Sequence, residues 1–355
     1  MSDADATAIP GAGAEAGGGR RFSVREYRAG DETAILALFN RVFAIGNPDF
    51  VPRRLDHWRW AFPGNPEGHA TMVAEADGAL VGTFTAQPSR FRFPDGEFRL
   101  GQAVDTVIAP EFRASLRKNG VYLTLSHAFY ERFGRRDDLR FLYGFPNPQA
   151  LRIGTKFGGY EPVRCPVLES EIPLAHAGRW PDGGVEVEEV ERFGLEVDAF
   201  DDALAPTMGV AARRTARYWN WRYADCPTTR YRLLRAQGAS GELRGFLVHG
   251  FGWHGFRKEI VPIVDFLVAP GDRATWKALL ADVARAAQRE RGTPLKTLLA
   301  WTPPHHPHFA DLAALGFKSQ PSIFNLCIRR FADSGYTPEQ ATRELYINMG
   351  DSDIY

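Results

Sequence analysis

Charge of one sign is missing from this 355-residue chain: 43 lysines and arginines stand against 43 aspartates and glutamates. Such a balance removes the electrostatic footprint that gathers nucleic acid or an anionic membrane surface. Cysteine is scarce too. Cys165, Cys226 and Cys327 are odd in number and far apart, so they suggest neither a disulfide framework nor a zinc site. No apolar run approaches membrane-spanning length. The first twenty residues are rich in alanine and glycine, without the basic start and hydrophobic segment of a secretory signal. Residues 1–21 read as a disordered tail. The expectation is a soluble, cytoplasmic protein with no nucleic-acid, membrane or metal partner.

What is there is the composition of a globular protein, 44% hydrophobic and 12% aromatic, on a chain long enough for two domains. A strand pattern over 22–27 leads to Asp31, placed as an N-cap, and to Ile35, Leu38, Phe39, Val42 and Phe43 at helical spacing. A second short helix covers 54–60. Two Asp-Gly pairs, Asp77-Gly78 and Asp95-Gly96, predict hairpins joining strands over 71–76 and 79–86, then 90–93 and 98–100.

The organising stretch runs from Gln102 to Phe129. Val104-Asp105-Thr106-Val107-Ile108-Ala109 is apolar and β-branched and is stopped by Pro110, which predicts a buried strand. Val121, Leu125 and Phe129 fall four apart and predict a helix. Between them lies a basic loop with Arg113, Arg117, Lys118, Asn119 and Gly120. A basic, glycine-containing turn feeding a helix N-terminus makes an anion cradle, because the first-turn N–H groups are free and the helix dipole favours negative charge.

Val-x-x-Pro-x-Phe-Arg, a basic loop, Gly-Val and a helix resemble the pyrophosphate loop of the GNAT N-acyltransferases, which hold acetyl-CoA there. The opening Val24-Arg25-x-Tyr27, then Asp31, Ile35 and Leu38-Phe39-Asn40, looks like the start of the same domain. The loop departs from the family pattern, since Arg113 stands seven residues before Gly120. The resemblance implies an α/β fold and an acetyl-CoA site formed by Thr106, Val107 and Ile108 on the central strand, with Arg113, Arg117, Lys118, Asn119, Gly120 and Val121 at the pyrophosphate and Asn147 at the pantetheine arm. It also implies a small-molecule amine acceptor and direct attack in a ternary complex, with no cysteine near the cradle as a covalent nucleophile.

The chain then repeats itself. Trp58-Arg59-Trp60 is answered by Trp219-Asn220-Trp221, and the strand ending Ala109-Pro110 by Val264-Asp265-Phe266-Leu267-Val268-Ala269-Pro270. Gly159-Tyr160 returns as Gly316-Phe317, all at offsets near 160 residues. Ordered repetition of this kind predicts two copies of one domain: each a mixed, mostly antiparallel sheet flanked by helices, over 22–172 and 185–331, with a linker over 173–184 and a tail over 332–355. The second copy has lost the cradle. Asp272 stands where phosphate would sit and reads as the N-cap of the next helix.

Two residues are catalytic candidates. Asp105 is a base or amine ligand, or else a structural aspartate held by a neighbouring loop; its recurrence as Asp265 favours the second reading. The family's acid is a tyrosine on the last helix, and Gly154 stands in its place, so Tyr143 is the candidate, with Tyr122 and His127 as alternatives. The run His305-His306-Pro307-His308 reads as loop histidines at a helix start, and the paired tryptophans as core or interface anchors. The rival functions are a Fem-like aminoacyl transferase and a binding protein whose site has decayed.

Overall fold

The computed structural model of the chain describes residues 14–16, 20–113, 120–135, 138–164, 167–251, 257–290, 294–332 and 334–354. Strands β1 (Ala14–Ala16), β2 (Arg20–Glu26), β3 (Ala70–Ala76), β4 (Ala79–Phe93), β5 (Gly96–Ile108), β6 (Phe141–Gly144) and β7 (Glu161–Pro162) come first. They are interleaved with helices α1 (Glu32–Phe43), α2 (Leu55–Ala61), α3 (Val121–Phe133) and α4 (Pro148–Ile153). Asp77 and Gly78 both take positive φ, 52° and 76°, and so make the primed turn that the twist of a two-residue hairpin requires. β4 is longer than expected, running unbroken past Pro88, which sits opposite Gly101 on β5. Asp31 occupies the N-cap of α1 without capping it; its carboxylate is drawn instead to the Arg25 guanidinium at 2.7 Å and accepts the Arg28 N–H.

The second series is β8 (Leu168–Pro173), α5 (Leu174–Ala177), β9 (Val185–Val190), α6 (Glu196–Met208), β10 (Ala211–Ala212), α7 (Ala216–Trp219), β11 (Arg232–Gly238), β12 (Leu243–His249), β13 (Ile260–Val268), α8 (Arg273–Arg289), β14 (Thr297–Thr302), α9 (Pro307–Ala314), β15 (Lys318–Pro321), β16 (Cys327–Arg330) and α10 (Pro338–Glu344). Two mixed α/β sheets result, flanked by helices, as the repeat implied. One has the order β1-β2-β3-β4-β5-β6-β16-β7, with β10 added on β4; the other has the order β15-β8-β14-β13-β12-β11-β9.

The two halves trade strands. β8 lies in the second sheet, with Ile172 opposite Leu298 on β14, although sequence order put it in the first. β16 lies in the first sheet, with Ile328 opposite Tyr143 on β6. The expected linker is packed too: it contains α5, whose Leu174 and Ala177 are buried. One apolar cluster spans both sheets, joining Phe91, Leu100 and Tyr143 to Phe246, Phe266 and Trp301. The second tryptophans of the two repeated pairs meet each other. Trp60 and Trp221 stack with centroids 5.4 Å apart, and each indole N–H donates to the other's carbonyl, at 2.7 and 2.9 Å. After α10 the chain runs buried between the halves, from Leu345 to Ser352. Among the described residues no helix is long and apolar enough to cross a membrane.

Candidate active site

The site exists because two parallel strands separate. β5 and β6 pair only at Gly101–Leu142 and Gln102–Tyr143; beyond that point β5 stays with β4 while β6 turns to β16. The gap is a cleft of about 570 Å³, with Val104, Asp105, Thr106 and Ile108 on one arm and Gly144, Phe145, Pro146 and Asn147 on the other. β5 bulges at this place. Thr83 faces Val107 and Thr85 faces Val104, so Asp105 and Thr106 together stand opposite Phe84. Asp105 takes φ 49°, and the Thr83 hydroxyl holds its carbonyl at 2.9 Å. A bulge turns main-chain groups out of the ladder, here toward the cleft. Gly120 is the N-cap of α3.

The expected site residues divide by position. Thr106, Ile108, Arg113 and Asn147 line the cleft. Val107 and Val121 point into the core, so only their backbone can serve a ligand. Arg113 donates Nε to the Ile108 carbonyl at 2.8 Å. Asn147 caps α4 by accepting the Ala150 N–H, a role the sequence reading had not given it. Arg117, Lys118 and Asn119 lie outside the described residues. Tyr143 is on the wall, but its hydroxyl already donates to the Asp351 carbonyl at 2.9 Å, and burial holds its phenol well above the ordinary value. To act as the candidate acid it would have to give up that bond. Tyr122 lines the cleft; His127 is exposed.

Long-range contacts bring in further residues; of these the sequence singles out Asp105 and the terminal stretch with Asp351 and Asp353, read there as a pair of carboxylates able to close over the acceptor cleft or else as a solvated terminus. Asp105 forms an ion pair with Arg53, which in turn lies 4.0 Å over the Phe39 ring. Asp353, two residues from the chain's end, lines the cleft and accepts from Gln102 Nε2 at 2.5 Å. Asp353 is exposed as a residue, yet desolvation of its carboxyl by the surrounding cleft, and then the charge of Asp105, push that carboxyl above the usual range. The exchanged strand adds Cys327 and Arg329, which overturns the expectation that no cysteine stands near. The Cys327 thiol is pushed up to about 12 by burial, and a protonated thiol is a poor nucleophile.

Gly154, at the family tyrosine's position, has no room for a side chain. A Cβ there would meet the Tyr160 ring, with Cε2 only 2.9 Å away. Tyr160 is itself on the cleft wall and shares a hydrogen bond with Tyr122. Gly154→Ala should therefore cost about 1–3 kcal/mol of stability by overpacking. Chemical denaturation checks this, and a variant as stable as wild type would show that Tyr160 yields freely.

In the second copy β13 likewise leaves its parallel partner β14 after Ile263–Ala300, but the bulge is displaced and the gap is filled. Asp265 and Phe266 sit in register opposite Val248 and Leu247, and the irregularity falls at Val264, before the aspartate. His308 and Tyr346 pack on Phe266, Asp272 caps α8 by accepting the Thr275 N–H at 3.1 Å, and His306 caps α9.

Residues 23–163 match the family model described as an acetyltransferase (GNAT) domain. No curated protein sequence matches the chain. Among solved structures, a GCN5-related N-acetyltransferase from Kribbella flavida is similar at 16% identity and TM-score 0.61, over 87% of this chain and 72% of that one. A tandem GNAT protein from the clavulanic acid biosynthesis pathway is similar at 13% identity and TM-score 0.54, over 89% and 99%. Saccharomyces cerevisiae N-myristoyltransferase with bound myristoyl-CoA is similar at 12% identity and TM-score 0.54, over 87% and 82%. These likenesses are of fold.

Proposed function

We propose that the chain transfers an acyl group, acetyl in the first test, from CoA to an amine of a small metabolite or sugar, at the cleft of the first half alone. The observation that carries this reading is the parting of β5 from β6 beside the Asp105–Thr106 bulge, in the strand that leads on to α3 with Gly120 as its N-cap. The pyrophosphate would sit at Gly120 with Arg113, Arg117, Lys118 and Asn119 around it. The thioester would lie along Thr106–Ile108, where a main-chain N–H meets the carbonyl as it gains charge.

The acceptor end of the cleft holds two carboxylates and one guanidinium, Asp105, Asp353 and Arg53. Arg53 is paired with Asp105, so Asp353 is the carboxylate placed to receive an ammonium, its charge tempered by Arg222. With Asp105 taken up by that ion pair, the base is Asp353: it takes a proton from the amine as nitrogen attacks the carbonyl carbon, and the carbon–sulfur bond breaks to release CoA thiolate. Thiols of this kind titrate not far above neutrality, so the thiolate departs without a strong acid.

The test is calorimetry with acetyl-CoA followed by an amine panel scored by thiol release. One CoA per chain is expected. Gly120→Asp should abolish binding by adding negative charge at the pyrophosphate. Two CoA per chain, or unchanged affinity in the variant, would overturn the assignment. A protein that binds CoA but acetylates no amine would favour the decayed-site reading.

A further inference from the structure

The last residues of the chain are held by a buried polar cluster in the second half that the reaction itself does not use. Arg214 donates Nε to Asp265 Oδ1 at 2.7 Å and Nη2 to Asp351 Oδ2 at 3.1 Å. Asp265 Oδ2 also accepts from the Trp219 indole at 2.9 Å and the Tyr223 hydroxyl at 2.8 Å. Asn348 Nδ2 donates to Asp265 Oδ1 at 2.5 Å, and its own N–H is taken by Asp351 at 2.9 Å. Arg214, Asp265, Asn348 and Asp351 are all within 4% of complete burial. Gly350 fits only because it lacks a side chain: a Cβ would collide with the Tyr223 hydroxyl and stand 2.7 Å from Asp265 Oδ2.

The strap leaving this cluster goes straight to the cleft. The Asp351 carbonyl takes the Tyr143 hydroxyl, the Ser352 carbonyl takes Arg222 Nη2 at 2.8 Å, and Asp353 takes Gln102. Asp265 is the repeat partner of Asp105. The position that stands beside the acyl site in the first half thus anchors the strap in the second.

We propose that the second half's former acyl site has become a clamp, in which Arg214, Asp265 and Asn348 are positioning residues that hold residues 348–352 so that Asp353 sits in the first half's cleft. The inference rests on the acyl-transfer reading above. A buried, fully bonded cluster suits this task, because it admits one strap position and makes every other leave a charge unpaired.

The experiment compares Gly350→Ala and Asn348→Ala with Asp353→Asn and the double variants. Hydrogen exchange should show 346–354 losing protection in both clamp variants while β5 and α3 keep theirs. CoA affinity should be unchanged and kcat/KM for the amine should fall ten- to hundred-fold. In the Asp353→Asn background the clamp changes should add nothing further, because their only route to activity is already cut. Penalties that add, a CoA site that weakens alongside, or a strap that stays protected at full activity would each overturn the clamp. Should Gly350→Ala not fold, Asn348→Ala carries the same readings without the collision. A wild-type rate for Asp353→Asn would instead remove the base assignment, with strap release in exchange still deciding whether the clamp holds.

Discussion

Asp353→Asn lowers kcat/KM for the amine by roughly 10²- to 10⁴-fold, the range of a positioned base, and leaves CoA affinity where it was. The amide keeps the size of the carboxyl and its bond with Gln102, so folding is not the route of the loss. The pH profile supplies the sharper reading. Asp353 faces Asp105, Arg53 and Arg222 as well as Gln102. Desolvation by the cleft and the charge of Asp105 raise its carboxyl; Arg53 and Arg222 oppose them, and the net shift is upward. A raised carboxyl works as a base only above its own titration point, so wild-type kcat/KM falls as pH drops through a point above 3.8, the ordinary carboxyl value. In Asp353→Asn that acid limb disappears and a low, flat rate remains. An unchanged limb would assign it to another group.

Trp221→Ala costs about 3–5 kcal/mol of global stability, the usual range for deleting a large buried aromatic. The ring is 7% exposed and stacked on Trp60, and its loss also removes the indole donor to the Trp60 carbonyl, while the main-chain carbonyl that accepts the Trp60 indole remains. Because the apolar core and the exchanged strands run through both halves, denaturant should unfold the variant in one transition at a lower midpoint. Two separated transitions, with only one of them moved, would show that the halves are independent.

The repeat was readable in the sequence because it is written in local signals: tryptophan pairs, Asp-Gly turns, the β-branched strand ending Ala-Pro. Those signals gave both sheets, most elements and the near arm of the cleft. What they did not give depends on distant pairing. β7 and β8 are short and half polar, and nothing in their own residues says which sheet they join; the same holds for β16. Cys327 and Arg329 reach the cleft only through that exchange. Asp353 sits in a short, mixed terminal stretch with no periodicity, and its place is fixed by Asn348, Gly350 and Asp351 meeting partners more than eighty residues away. Gly154 was noticed as a missing tyrosine, yet the ring that closes its space, Tyr160, belongs to the next segment.

The exchange of β8 and β16 also sets the order in which this protein can be born. A ribosome delivers the chain from its N-terminus, and β6 has no partner on its outer edge until residues 327–330 emerge. Until then the nascent first half exposes an unsatisfied strand edge, the kind of surface that recruits chaperones or pairs with a neighbouring copy. The active cleft is consequently completed only after the strands of the second half have emerged, because β16 follows them in the chain.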